Sequence, residues 1–424
     1  LYLFFIFATY SCTKIRKRVF LKFKLIFLNR MKRLLIPAIS ALMMIQSCGS
    51  PADSFQEQFD SISNEIKAQF APDRRDKCYE PILKDVDGRK VLYGSTTEQE
   101  AKDALLAALS EKGLNVLDSM IVLPDPEFGD KIWAVVSHSV ANVRYEANYS
   151  SEMATQLLMG TPVQLLEKRS YWYRIVTPEG YHAWVTVGSV QRMDEQELNA
   201  WKASNRLIIT TYYTLFREKA DLTSQVVSDG VWGNIVEKVG EQGSYFKVRI
   251  PDGKIAFVPK KDATSFNNWI ASRKPTAENI IATGEAFLGF PYLWAGTSIK
   301  AMDCSGFVKT VLFLNGVITR RDASQQAKVG DDVNVENFPG DLQPGDLLFF
   351  GRKATEERSE RITHVGIYLG EGRFIHAATN VQTNSLMPDA DDFYDGTLVR
   401  ARRVINKADE VPGLVSIAKH PWYF

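Results

Sequence analysis

The chain has 424 residues, 45% apolar and 24% charged, which suits a soluble globular protein of two to four domains and excludes a collagen-like or largely disordered one. No apolar run reaches the roughly 18 residues that cross a bilayer. The net charge of +1 hides an asymmetry: residues 1–47 hold nine Lys/Arg and no Asp/Glu, so the remainder has a net charge of −8, the wrong sign for a nucleic-acid partner.

Residues 1–30, beginning at Leu1, read as translated sequence upstream of a start at Met31. Met31-Lys32-Arg33, the apolar stretch Leu34–Ile45 and small residues before Cys48 form an export signal over 31–47. A cysteine directly after the cut resembles a bacterial lipoprotein signal, in which that cysteine is acylated. Cys48 is therefore the expected lipidation site, and a lipid anchor the only expected membrane contact. Gly49-Ser50-Pro51-Ala52-Asp53 has no acidic run, which favours a cell-envelope protein facing the periplasm. Only Cys78 and Cys304 remain in the exported body. A disulfide between them is open in that compartment, but it would consume the one thiol placed for catalysis.

Residues 48–75 are polar and helix-compatible, a tether. A small α+β unit is expected over 76–127. Alternating residues from Cys78 run to an Asp87-Gly88 turn and a second strand at Val91-Leu92-Tyr93. Next comes a helix capped by Thr96 or Thr97, with Ala101, Leu105, Leu106, Ala108 and Leu109 at helical spacing and a stop at Gly113. A strand over Val116–Leu123 closes the unit. No chemistry is visible in it.

An ungapped internal repeat follows, with a period of 73 residues. Pro178-Glu179-Gly180 falls on Pro251-Asp252-Gly253, Trp184-Val185 on Phe257-Val258, Tyr173 on Phe246 and Arg144 on Arg217. Each copy is a set of short alternating strands, predicting two small β-barrels over 130–195 and 203–265 that resemble bacterial SH3 domains. The copies differ where Glu152 meets Gln225 and Tyr181 meets Lys254. Taken alone, Glu152 and Tyr181 are ordinary surface residues.

The last third, 272–424, changes character. A helix over Ala277–Leu288 leads to Pro291-Tyr292-Leu293-Trp294-Ala295-Gly296. Asp303-Cys304-Ser305-Gly306-Phe307 then opens a helix whose apolar stripe is Phe307, Val308, Val311 and Leu312, ending near Gly316. Cys304 sits in its first turn, where free amides and the dipole favour a thiolate. A lone cysteine there is more often a small buried hydrophobe, so its partners decide. His364 and His376 flank a hairpin with Gly370-Glu371-Gly372 as a three-residue loop. That register sets Gly366 against His376 and puts both imidazoles on one face, within diagonal reach. His364 is then the base and His376 its orienter. A cysteine and two histidines would give three metal ligands, but no Cys-x-x-Cys or His-x-x-x-His spacing accompanies them, so neither a metal nor a cofactor is expected.

With Arg321-Asp322-Ala323-Ser324-Gln325-Gln326, Pro344-Gly345-Asp346-Leu347, His364-Val365-Gly366-Ile367-Tyr368 and Phe374-Ile375-His376-Ala377, this region resembles the NlpC family of papain-like cysteine peptidases. The resemblance implies a triad of Cys304, His364 and His376 with Tyr292 beside the nucleophile, and peptidoglycan stem peptides as substrate. The barrels ahead of it resemble the branch of γ-D-glutamyl-L-diamino-acid endopeptidases. For that branch Glu152, Tyr181 and Asp303 would bind a free L-Ala amine, which reverses the surface reading of the first two. Trp294, Ser305, Arg321, Asp322 and Ser324 would line the γ-D-Glu pocket. The expected whole is a multidomain α+β monomer: small α+β unit, two SH3-like barrels and a papain-like catalytic domain. A wall-binding lipoprotein without catalysis, or an amidase on the same scaffold, are the alternatives.

Overall fold

The computed structural model describes residues 51–336 and 338–424, with side chains from 54 onward; the upstream extension, the signal and Cys48 lie outside them. The described part of residues 1–62 is the start of helix α1 (Pro51–Phe70), and everything that follows lies in the unit formed by residues 63–424. No helix among the described residues is long and apolar enough to cross a membrane.

The small unit opens with the hairpin β1 (Tyr79–Val86) and β2 (Arg89–Thr96), closed by Asp87 and Gly88 at φ 52° and 78°, as Val86 pairs with Arg89. Both turn residues are left-handed, which matches the twist of the strands they join. Helix α2 (Gln99–Glu111) buries Ala101, Leu105 and Leu109, but neither threonine caps it by bonding into the first turn. Instead the Thr96 hydroxyl accepts the Glu98 N–H at 3.0 Å and donates to the Cys78 carbonyl at 2.9 Å, tying the helix entry to the hairpin. The strand expected over 116–123 is broken into β3 (Leu117–Asp118) and β4 (Ile121–Val122), both parallel to β2. The Asp118 carboxylate takes the Met120 N–H at 3.0 Å, which interrupts the ladder.

The first barrel holds β5 (Trp133–Val136), β6 (Val140–Arg144), β7 (Met153–Leu158), β8 (Pro162–Arg169), β9 (Trp172–Val176), β10 (His182–Thr186) and β11 (Val190–Met193). Helix α3 (Glu195–Ala203) leads to the second, made of β12 (Arg206–Ile209), β13 (Tyr213–Arg217), β14 (Val226–Val231), β15 (Ile235–Gln242), β16 (Tyr245–Arg249), β17 (Ile255–Pro259) and β18 (Ala263–Ser265). The sheet orders are β11-β5-β8-β9-β10-β6-β7 and β18-β12-β15-β16-β17-β13-β14, the same path with every strand displaced by seven. The 73-residue period survives to single bonds. Arg144 donates to the Ser151 carbonyl at 2.5 Å and Arg217 to that of Ser224 at 2.6 Å, each beside a bulge at that arginine.

Helices α4 (Phe266–Ala271) and α5 (Ala277–Glu285) precede the catalytic layer. Helix α5 stops three residues short of Leu288, because Gly289 turns at φ 83° to give its N–H to Val381 at 2.8 Å. The short pair β19 (Thr297–Ser298) and β20 (Ala301–Met302) precedes α6 (Cys304–Leu314), β21 (Val317–Thr319) and α7 (Ala323–Gln326). A six-stranded antiparallel sheet follows, built from β22 (Asp331–Val333), β23 (Leu347–Arg352), β24 (Arg361–Gly370), β25 (Arg373–Ala377), β26 (Val381–Ser385) and β27 (Leu398–Arg403) in the order β22-β27-β23-β24-β25-β26. A last strand, β28 (Leu414–Ser416), pairs with β21.

Phe307, Val308 and Val311 of α6 share one apolar core with Val365, Ile367 and Ile375 of the sheet and with Val135, Ile208 and Ile235 of the two barrels. A continuous core fixes the barrels against the catalytic layer instead of leaving them on linkers. Barrel residues can therefore serve a site on α6.

Candidate active site

Helix α6 begins where the sequence places it. Asp303 is its N-cap and accepts the Gly306 N–H at 2.6 Å, so Cys304 is the first helical residue. Gly306 has no room for a side chain: a Cβ there would meet the Gly296 carbonyl oxygen at 1.9 Å. That close approach presses the 295–297 loop onto the helix start, and the other Asp303 oxygen holds the Ala295 N–H at 2.8 Å.

Cys304 and Cys78 are both free thiols, so no disulfide consumes the candidate nucleophile. The helix start was expected to favour a thiolate; burial opposes that. The Cys304 thiol is pushed up to about 12, first by desolvation and then by the Asp303 carboxylate, against the opposing pull of the Val365 and Ser305 backbone amides and of Arg321. Burial likewise pushes His364 down to about 3, helped by His376. Burial thus favours the neutral form of each group, the thiol on Cys304 and the uncharged imidazole on His364.

The imidazoles meet as the hairpin reasoning requires, by a different route. The loop has two residues, Glu371 and Gly372 at φ 50° and 75°, and not three. A bulge between Tyr368 and Gly370 restores the parity, so Ile367 pairs with Ile375 and both histidines share a face. His364 Nε2 lies 2.6 Å from His376 Nδ1, and His376 Nε2 lies 2.8 Å from Asn384 Oδ1. The Asn384 amide donates to the Asp392 carbonyl at 2.7 Å, which fixes its oxygen toward His376. Donors then follow in order. His376 carries its proton on Nε2 and accepts at Nδ1 from His364 Nε2–H, which leaves His364 Nδ1 as a bare lone pair. His364 directly precedes Val365, whose amide acts on the Cys304 sulfur.

A cavity of about 350 Å³ contains Cys304 and is lined by Trp294, Asp303, Ser305, Arg321, Asp322 and Ser324, with Tyr145, Met153 and Ala154 contributed by the first barrel. Arg321 is 1% exposed; it pairs with Asp303 at 2.8 Å, donates to Ser305 Oγ at 2.8 Å, and reaches Thr155 Oγ1 of the barrel at 3.0 Å. Asp303, expected among the amine ligands, is thus already engaged by two backbone amides and a guanidinium. Tyr181 is buried, shares a hydrogen bond with the Tyr145 hydroxyl at 2.9 Å, and donates to Asp322 Oδ2 at 3.1 Å. The carboxylate of exposed Glu152 accepts the Trp294 indole N–H at 2.8 Å. The Tyr292 phenol is raised by burial and by the nearby Asp303 carboxylate. No cluster of metal-ligating side chains occurs among the described residues.

Three contributors escaped the sequence reading. Asn384 orients His376, and the need for a third polar group was the available signal. Tyr394 packs on both imidazoles, 5.7 Å from the His364 ring and 5.2 Å from the His376 ring. Arg75 enters the cavity from the segment assigned as a tether.

A cysteine opening a helix, a paired-imidazole relay on an antiparallel sheet and a cleft walled by an SH3-like barrel define a papain-like thiol hydrolase. Comparison with known proteins agrees. Residues 289–403 match the NlpC/P60 family and residues 139–191 the bacterial SH3 domain. The chain is 29% identical over 264 residues to the gamma-D-glutamyl-L-lysine dipeptidyl-peptidase of Bacillus cereus, covering 60% of this chain and 76% of that protein. It is 29% identical over 261 residues to the protein of the same name from Bacillus subtilis, covering 60% and 81%. It is 26% identical over 268 residues to dipeptidyl-peptidase 6 of Lysinibacillus sphaericus, covering 60% and 91%. The crystal structure of an NlpC/P60 family protein from Bacillus cereus superimposes with a TM-score of 0.52 at 24% identity, over 64% of this chain and 99% of that one, a likeness of fold. The chain therefore carries an NlpC/P60 cysteine-peptidase domain behind a bacterial SH3 domain.

Proposed function

We propose that the protein hydrolyses the γ-D-glutamyl bond to the following diamino acid in peptidoglycan stem peptides whose L-Ala amine is free. The observation that carries this reading is the ordered relay from Asn384 through His376 to His364, which leaves one imidazole lone pair on the strand that touches Cys304. His364 takes the thiol proton as sulfur attacks the γ-carbonyl. The first turn of α6 offers its free amides to the oxyanion, and His364 then protonates the leaving amine. Water, deprotonated by the same imidazole, cleaves the thioester and releases the dipeptide.

The names of the relatives support the bond, and the charge pattern supports the amine requirement. Glu152 sits at the cleft rim with an indole as its hydrogen-bond partner, while Asp303 and Asp322 are each paired with an arginine. A substrate ammonium would complete Glu152; an acylated one would leave it unpaired. We propose, from the signal-like run over 31–47 and the cysteine that follows it, that the enzyme is exported and held to the membrane by an acylated Cys48.

The deciding experiment offers L-Ala-γ-D-Glu-diaminopimelate and its lysine counterpart, each with and without N-acetylation, to wild-type protein and to Cys304→Ala. Cleavage of the free-amine peptides by wild type alone, with product masses for the dipeptide and the diamino acid, is expected. Equal rates on acetylated and free peptides would defeat the amine requirement. Activity in Cys304→Ala would defeat the thiol mechanism.

A further inference from the structure

The segment 73–76 lies outside both matched families, yet it puts Arg75 in the lining of the cleft. Arg74 stacks over the Tyr145 ring, 4.7 Å from its centroid. The Arg75 carbonyl accepts the His182 N–H at 2.7 Å, and Asp76 Oδ1 accepts from Gln325 Nε2 at 2.9 Å. Between these anchors the Arg75 guanidinium turns into the cavity. Its Nη1 donates to Asp322 Oδ2 at 2.8 Å and to Ser324 Oγ at 3.0 Å, while Asp73 holds Nε at 2.9 Å and Nη2 at 2.5 Å.

This arrangement sets the charge of the cleft. Four carboxylates line it or touch its lining: Asp73, Glu152, Asp303 and Asp322. Arg75 bridges Asp73 and Asp322, and Arg321 neutralises Asp303. Among the described residues only Glu152 of these four has no basic partner. Glu152 and Asp322 both act on the Tyr145 hydroxyl, so they serve the same end of the cleft. Of the two carboxylates at that end, Asp322 is thus held in an ion pair and Glu152 is not, with Arg74 over the Tyr145 ring and Arg361 in the cavity lining as the other cations nearby. Without Arg75 the Asp322 carboxylate, whose side chain is 23% exposed, would be open to a substrate cation as well.

We propose that Arg75 is a specificity-determining positioning residue: by holding Asp322 in an ion pair, it restricts this end of the cleft to substrates carrying a single ammonium group there. The inference rests on the peptidase reading above and deepens it. It gives the segment ahead of the barrels a part in substrate choice, by cancelling a charge that would otherwise admit dicationic termini.

The test compares two tripeptides, L-Ala-γ-D-Glu-L-Lys and the same peptide with L-2,4-diaminobutyrate in place of L-Ala, on the full chain. Wild type should prefer the alanyl peptide. Arg75→Gln should move the ratio of kcat/KM toward the diaminobutyryl peptide by about tenfold, chiefly through KM, as a close charge pair in a partly solvated cleft would. Adding Asp322→Asn to Arg75→Gln should abolish that shift, and Arg75→Lys should keep the wild-type preference. A merely structural wall would lower both peptides together and leave the ratio unmoved, which would overturn the proposal. Failure of wild type to cleave either peptide would instead overturn the peptidase reading, and this inference with it.

Discussion

Arg321→Met removes a charge from the centre of the site while keeping most of the side-chain stem. In the folded protein Arg321 is buried, and its guanidinium supplies Asp303 with contacts of 2.8 and 3.2 Å. Loss of one partner from a buried pair typically costs about 3–5 kcal/mol, because the remaining charge stays desolvated. Asp303 would still hold the Gly306 and Ala295 amides at 2.6 and 2.8 Å, which places the cost near the lower end, about 3 kcal/mol. At a urea slope of about 2 kcal/mol per molar, the midpoint should fall by about 1.5 M. The two buried thiols make the assay specific, since Cys304 reports the catalytic layer and Cys78 the small unit. Pulse alkylation across a urea series, read by peptide mass, should show the Cys304 midpoint falling by that amount. Adding Asp303→Asn should recover most of it, because asparagine still caps a helix and carries no charge. A Cys304 midpoint within about 0.5 M of wild type, or a double variant no better than the single, would refute the ion pair as the element that holds the helix start.

Other consequences follow from the relay and from burial. Asn384→Ala frees the His376 ring to rotate and should lower kcat by about tenfold, whereas His376→Ala removes the orienter and should lower it by about 10²–10³, both measured on the free-amine tripeptide. Burial favours the neutral Cys304 thiol and the neutral His364 imidazole, so iodoacetamide should alkylate Cys304 faster and faster as pH rises toward about 12. A rate already level from about pH 5 upward would mean a preformed thiolate–imidazolium pair and would contradict the burial reasoning. Burial pushes His182 down to about 4 and His364 to about 3. Folded-state values below the unfolded one mean that the unfolded chain binds more protons as pH falls below about 6.5, so stability should be lost from there toward pH 4. His182→Phe should flatten that loss, and an unchanged slope of urea midpoint against pH would count against it.

Much of this was legible because its signals are local. The repeat could be read strand by strand, since an ungapped period of 73 preserves turn residues and alternation together. The start of α6 was legible from the Asp303-Cys304-Ser305-Gly306 opening and the Phe307, Val308, Val311 stripe. The face shared by His364 and His376 came out correctly although the loop did not. A tighter turn at Glu371-Gly372 and a bulge beside Leu369 shift the register in opposite senses, and alternation alone cannot separate that pair of changes from neither. The thiol's protonation depends on a second effect as well. A helix dipole is visible in sequence, whereas the desolvation that outweighs it depends on what the barrels and the sheet bring over Cys304. Asn384 and Tyr394 were missed because both follow a chain reversal whose register fixes which side chain meets the imidazoles.

The two barrels show how one backbone gives two surfaces. In the first copy Thr155 takes the Arg321 guanidinium and Gln156 takes the Thr297 N–H at 3.0 Å, so β7 is fastened to the catalytic layer along the cleft. Seventy-three residues later those positions hold Ser228 and Asp229, and Asp229 pairs with Lys300 at 2.8 Å and accepts from Ser139 at 2.7 Å, away from the nucleophile. Tyr181 reaches Asp322, while its counterpart Lys254 turns to Asp252 at 2.7 Å beside the same hairpin turn. Exchange of Tyr181 for lysine would set a second cation against Asp322 in competition with Arg75. The strand order of the barrel thus explains neither its place in the site nor its chemistry. Both come from a few substitutions on the face that the shared core presses against α6 and α7.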